Sequence, residues 1–544
     1  MFSGKQVLIL AALALAAFSQ AVAAQTAPHP DPAAAATFTA QSQLVIVPAT
    51  VTGRDAQHVS GLSVSDFSVR ENRKTQKISV FEEIRATAEP LRRIDTPGIY
   101  TNSYDRPSPR RLVVIAVDTV NSQFLDQSWG RRQLMNFLDA RVNTGALFAL
   151  VVMNGAGIRV VHDATSDPSV LIGALRKVQI SPPPAATGKG AKNDPLASVS
   201  DANEPDSKTD TEVPLIKQLA NGAEEKMADQ LRVNALKVTL ESLETIARIY
   251  AGVPGRKALV WVTGSFPYNP FDQSEYEHTW KVLNDANFSL YGVDLRGLVN
   301  PGAFSADIPR FSDHWVQNQN NWNTNTITTL QLFAAATGGE AFYNTNDIVL
   351  SLDRATRDSG SYYLLGYYRS AKDAAPGWRE LKVSVRNKGV RVRARSGFFV
   401  SQSNGPAPPL DDLQMALTAP LEFTGIPLAF RWTEAPGTTS GEGKENTFEL
   451  AILPASKLLA GPNDNQVDLQ FVGIATDADG KLKAQFSQPI ESTLSAADIK
   501  LIQEKGFIYK GQFRLPPGEY TIRVVVRDNR SGKIGSLIVA LRGH

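Results

Sequence analysis

The sequence has no cysteine and only six histidines in 544 residues. Without thiols there is no disulfide, no thiolate-held metal and no lipid-modified cysteine, so the fold must rest on packing alone. The histidines are scattered without metal-ligand spacing, and no HExxH, GxSxG or strand-linked GxGxxG is present. Those absences remove the common zinc, serine-hydrolase and dinucleotide chemistries. Charge of one sign is lacking too: 56 Lys and Arg against 54 Asp and Glu leave a formal net charge of +2. No global field draws the chain toward nucleic acid or a membrane surface. No uninterrupted apolar run reaches the ~20 residues of a membrane-spanning helix. Residues 181–226 contain no aromatic and little apolar periodicity, so this low-complexity stretch is expected to be disordered or loosely packed. Its Gly188-Lys189 is not a phosphate loop, because Pro183 stands where the leading glycine belongs.

What is present begins with a leader. Lys5, the apolar stretch Val7–Phe18 and small residues up to Ala24 read as a cleaved secretory signal, residues 1–24, with cleavage between Ala24 and Gln25. The expected location is periplasmic or secreted, with no transmembrane segment left after cleavage. An Ala/Pro-rich tether, 25–40, follows. With 42% hydrophobic residues and roughly 100 to 200 residues per domain, about three or four domains are expected. Residues 41–95 alternate with period two, as at Phe67/Val69 and Ile78/Val80, and read as a short β module. Residues 110–360 alternate strand and helix patterns, the text of a doubly wound sheet. Residues 361–400 are β again, 401–410 are a Pro-rich linker, and 411–544 read as a C-terminal β-sandwich.

The most informative stretch is Arg111–Ser122, RLVVIAVDTVNS, an apolar run ending abruptly in Asp118. Such a run fits a strand buried on both faces, and a carboxylate just past it sits at the ligand-binding edge of an open α/β sheet. This stretch resembles the von Willebrand factor A (VWA) family, whose metal-ion-dependent adhesion site opens with DxSxS after the first strand. Asp118 and Ser122 match that pattern, while Val120 replaces its first serine. The segment GLSVSDFSVRENRKTQKISVFE resembles the β module of exported bacterial VWFA-related proteins of acidobacterial type. The likeness covers roughly Ser42–Val400. It implies a mostly parallel six-stranded, Rossmann-like VWA domain inserted between β segments. It also implies a binding function, without catalysis, at the C-terminal edge of the sheet.

In the family a hard cation takes oxygens from three loops, the third supplying an aspartate after the fourth strand. Here that strand ends in Thr263-Gly264-Ser265, and the aspartate is missing. The second loop falls in or beside the low-complexity stretch, leaving Thr209, Thr211 or neither. The resemblance therefore implies a degenerate site in which Asp118 and Ser122 hold Mg2+ or Mn2+ weakly, if at all. The competing reading is that Asp118 caps the following turn.

Ligand-binding candidates at this edge are Asp118, Asn121, Ser122 and Ser265, joined by Trp315 and Trp322 in the long polar loop after the fifth strand. The expected partner is a protein or an envelope polymer and not nucleic acid. Two alternatives stand beside adhesion: a structural scaffold with a vestigial site, and an envelope hydrolase built on Ser265. A further basic feature is read at Leu381–Arg395, where Lys382, Arg386, Arg391, Arg393 and Arg395 fall on one face of an expected hairpin. Hydrogen-bond accounting finally predicts that 41–95 and 361–400 pair with each other, since neither has enough strands to bury a face alone.

Overall fold

The computed structural model describes residues 42–86, 92–104, 109–122, 124–139, 146–177, 213–264, 266, 270–297, 326–345, 347–370, 375–400, 411–433, 444–454 and 465–542. The signal and tether, and the part of the low-complexity stretch before residue 213, lie outside them.

The central sheet has six strands: β1 (Leu112–Asp118), β2 (Leu147–Asn154), β3 (Gly157–Thr165), β4 (Lys257–Thr263), β5 (Phe288–Asp294) and β6 (Glu340–Phe342). Their order is β6-β5-β4-β1-β2-β3. All pairings are parallel except β2 with β3, which turn through Gly155 and pair antiparallel at the edge. The order reverses between β1 and β4, which places the switch point of the sheet between Asp118 and Thr263.

Among the described residues six helices cover this sheet: α1 (Phe124–Asp139), α2 (Pro168–Lys177), α3 (Val213–Ile249), α4 (Gln273–Asp285), α5 (326–337) and α6 (Ile348–Gly360). Side chains of β1 alternate between the two cores, Val113 and Ile115 meeting Phe137 of α1 and Leu352 of α6, while Leu112 and Val114 meet the helices α3 to α5. Both faces are thus dry, which is why β1 and β4 carry uninterrupted apolar runs, Leu112–Val117 and Ala258–Val262.

Helix α3 departs from expectation. It starts at Val213, inside the stretch expected to lack order. The absence of aromatics there excludes a core but not a helix. Leu, Ala, Gln, Glu and Lys dominate 215–230 and carry high intrinsic helix propensity, and Pro214 falls in the first turn where it is tolerated.

The two flanking β segments interleave. One four-stranded sheet has the order Arg391–Ala394, Ser42–Thr52, Ser361–Ser370, Val80–Arg85, and the other has the order Gly397–Val400, Gly377–Val385, Phe67–Glu71, Lys74–Gln76. Each sheet takes strands from both sides of the central domain, with Val47 opposite Leu365 and Val69 opposite Val383. Val45, Val47, Phe67, Val69, Tyr363 and Leu365 share one core.

The expected hairpin at Leu381–Arg395 is corrected here. Its two strands do not pair with each other: Gly377–Val385 pairs with Phe67–Glu71, and Arg391–Ala394 pairs with Ala49–Thr52 of the opposite sheet. The basic face is dispersed as a result. Arg393 turns into the central domain, where it meets Glu340 of β6 and, at 2.5 Å, Asp358 of α6. Arg395 donates to the Ile46 carbonyl at 2.6 Å. Alternation in the sequence reveals the phase of these arginines but not which sheet each strand joins.

The C-terminal region is a sandwich of two four-stranded sheets around Phe448, Leu450, Phe471, Ile522, Val524 and Leu537. One sheet includes a strand from far upstream, Tyr100–Thr101, beside Leu428–Trp432. The Asn102 amide locks it in place, donating to Phe423 O (2.8 Å) and Ile426 O (2.9 Å) and accepting from Leu428 N (2.8 Å). The segment Tyr100–Asn102, between the first β module and the central domain in sequence, is therefore part of the last domain. A short helix, Asp411–Thr418, brings Leu413 and Ala416 into the core beside α3. Arg248 of α3 reaches Asp412 at 3.0 Å.

Candidate functional site

The loops that follow β1 and β4 meet at the switch point. Asp118, the last residue of β1, is fully buried, and its carboxylate takes five hydrogen bonds. Oδ1 accepts from the backbone of Val120 (2.9 Å) and Asn121 (3.1 Å). Oδ2 accepts from Asn121 Nδ2 (2.8 Å), Thr263 Oγ1 (2.9 Å) and Trp261 Nε1 (3.1 Å). Burial pushes the pKa of this carboxyl up, and the donated hydrogen bonds act against that shift.

Asn121 extends the network across the edge. A carboxylate only accepts, so the group facing Asp118 is the amide NH2, which also donates to Thr239 Oγ1 of α3 at 2.8 Å. Ser122, also buried, accepts from Gly264 N at 2.8 Å and so ties the β1 loop to the β4 loop. Thr119 anchors the other side by donating from Oγ1 to the Met153 carbonyl of β2 at 2.8 Å. Trp261 is fully buried behind the site, its ring 5.1 Å from Phe266 and 5.7 Å from Phe333. At the end of β5 a second buried carboxylate, Asp294, is neutralised by Arg296 at 2.7 Å.

The residues do not fit the cation of an adhesion site. Both Asp118 oxygens are committed to donors, Asn121 presents N–H groups rather than an oxygen to the centre, and Ser122 Oγ is occupied by a backbone N–H. Gly264 brings no carboxylate. Among the described residues no group of three His, Cys, Asp or Glu is placed to hold a metal. A doubly charged, strongly hydrated ion needs more anionic oxygen than one saturated carboxylate provides.

Of the residues singled out from sequence, Asp118, Asn121 and Ser122 come together here, whereas Ser265, Trp315 and Trp322 lie outside the described residues, as do Thr209 and Thr211. Thr239, Trp261 and Thr263 complete the network and were not anticipated. Thr239 carries a faint signal, a hydroxyl on the apolar side of α3 beside Leu236, Leu240 and Leu243. On the loop after β4, Phe271 is 94% exposed, which is unusual for phenylalanine.

No protein-family model matches the chain, and no curated protein matches it. Solved structures that resemble parts of it include VWA domains. The SpRpn10 VWA domain is 10% identical with a TM-score of 0.21, covering 45% of this chain and 92% of that one. The TFIIH p34 N-terminal domain is 11% identical with a TM-score of 0.21, covering 45% and 95%. The pilus adhesin SpaC from Lactobacillus rhamnosus GG is 10% identical with a TM-score of 0.25, covering 90% of this chain and 59% of that one. The class defined by the coordinates is a mixed α/β protein, with one six-stranded, mostly parallel sheet and several antiparallel sheets. No described helix is long and apolar enough to cross a membrane.

Proposed function

We propose that this is an exported, non-catalytic binding protein that takes a protein or envelope ligand at the C-terminal edge of its central sheet, without a metal ion. The observation that carries this reading is the hydrogen-bond network centred on Asp118. It fixes the β1 and β4 loops to each other and to α3, doing with an amide and three hydroxyls what a cation does in a VWA adhesion site. A rigid edge costs little ordering entropy when a partner docks. Phe271, exposed on the loop after β4, supplies the kind of aromatic anchor that dominates binding energy.

The test compares wild type with Phe271→Ser for binding to immobilised envelope extract in EDTA. Retained binding by wild type and a loss of about tenfold or more in the variant support the reading. Equal binding by the two, or binding that EDTA removes, would sink it. Labelling of Ser265 by a serine-directed probe would move the protein to the hydrolases. The scaffold reading is favoured by one observation, the Ser122 to Gly264 bond that ties the switch loops shut. It gains if Phe271→Ser binds normally and loss of binding follows changes in the β domains.

A further inference from the structure

A second feature lies away from the switch point, where the sandwich of interleaved segments meets the end of α5. The strands Gly377–Val385 and Arg391–Ala394 are consecutive in the chain but join opposite sheets, so they diverge. Between them and α5 is a groove of about 260 Å3, lined among others by Ala335, Gly338, Lys382, Val383, Arg393 and Arg395. Its lining includes three cationic side chains and no carboxylate.

The three cations differ. Arg393 is neutralised by Glu340 and Asp358. Arg395 has no ion pair among the described residues: it donates to the Ile46 carbonyl and lies over the Phe398 ring at 5.5 Å. Its Nε is shielded from solvent and has no hydrogen-bond partner among them. Burial pushes the pKa of this guanidinium down, against the attraction of the Asp285 carboxylate, which forms no ion pair with it. Lys382 is exposed at the groove, again with no ion pair among the described residues. The third element is main chain. Arg391–Ala394 is the end strand of its sheet, paired on one side with Ala49–Thr52 and with no described strand on the other.

We propose that this groove binds an extended acidic peptide, with a carboxylate held by Arg395 and Lys382 and the peptide backbone added along the open edge of Arg391–Ala394. An arginine offers a carboxylate two parallel donors, and strand addition supplies main-chain hydrogen bonds without regard to side chains. Alternate residues of the peptide meet the apolar lining of Ala335, Val383 and Val392. The site is independent of the switch-point edge, and its fate does not depend on that reading.

The experiment is fluorescence anisotropy on the full chain with a labelled peptide of alternating valine and glutamate. Its valine and glutamine counterpart is run beside it, and inorganic phosphate serves as competitor. The glutamate peptide is expected to bind at least about tenfold more tightly than the glutamine one and to weaken with salt. Arg395→Gln and Lys382→Glu are each expected to cost about tenfold or more. Phe271→Ser should leave this binding unchanged. Lys382→Glu alters an exposed side chain, so it decides the matter if Arg395→Gln does not fold. Equal affinity for the two peptides would overturn the proposal, as would unaltered binding by folded Lys382→Glu. Phosphate binding with no peptide binding would overturn it as well, by identifying a small-anion site.

Discussion

Asp118 is the residue that holds the switch-point edge together. Two of its five donors are side chains that stay buried if the carboxylate is removed, Trp261 Nε1 and Thr263 Oγ1. Asp118→Ala is therefore expected to destabilise the protein by about 3–5 kcal/mol, the usual range when buried donors lose a charged acceptor. Urea unfolding measures this. A loss below about 1 kcal/mol would mean the network is slack.

Lys257, at the opposite end of β4, offers a pH test. It is buried, its Nζ donates to Val253 O (2.7 Å) and Gly255 O (3.2 Å), and burial pushes its pKa down to about 7. The unfolded chain holds that proton up to about 10.4, so between these values the unfolded state binds more protons and stability rises with pH. Below about 7 both states are charged and this contribution is lost. Lys257→Met should flatten the rise between about pH 7 and 9, a difference of a few kcal/mol in the unfolding free energy. Parallel pH profiles for wild type and variant would refute the assignment.

At the scale of elements, legibility followed burial. Strands β1 and β4 were readable because each is buried on both faces and so has an apolar run through its middle, Leu112–Val117 and Ala258–Val262. The strand Leu482–Thr493 was not, because it is the exposed end strand of its sheet, polar at most positions and carrying Pro489, a residue that end strands tolerate. The helix at 213–226 was missed because propensity, rather than an apolar stripe, starts it. In the site, Asp118, Asn121 and Ser122 were legible as neighbours in sequence. Their partners Thr239, Trp261 and Thr263 lie more than a hundred residues away and became visible only when β1 and β4 were placed side by side.

Strand exchange between the flanking segments also sets an element-level prediction. Ser42–Asp95 alone should be unfolded by circular dichroism and should gain structure on adding 361–400, because its core partners Tyr363, Leu365 and Tyr367 come from there. A cooperatively folded fragment would contradict it. Arg393 joins this sandwich to the central domain, and replacing it leaves Asp358 buried with the Tyr291 hydroxyl, at 2.7 Å, as its one side-chain partner among the described residues. Arg393→Met should cost about 3–5 kcal/mol, read from chemical denaturation. A neutral result would show that the junction does not depend on this pair.

At the scale of the whole molecule, the central sheet is clasped on two sides. The interleaved sandwich holds it through Arg393, and the C-terminal sandwich holds α3 through Arg248 and Asp412, with Thr424 accepting from Gly252 N at 2.7 Å. Neither contact falls on the end of the sheet that carries Asp118, so the described clasps leave that edge available. Hydrogen bonds, without a metal ion, organise this edge. Calorimetric titration of the full chain with Mn2+ tests this most directly. No saturable heat is expected for wild type and none for Asp118→Ala. A saturable, stoichiometric Mn2+ site in wild type that Asp118→Ala abolishes would contradict it.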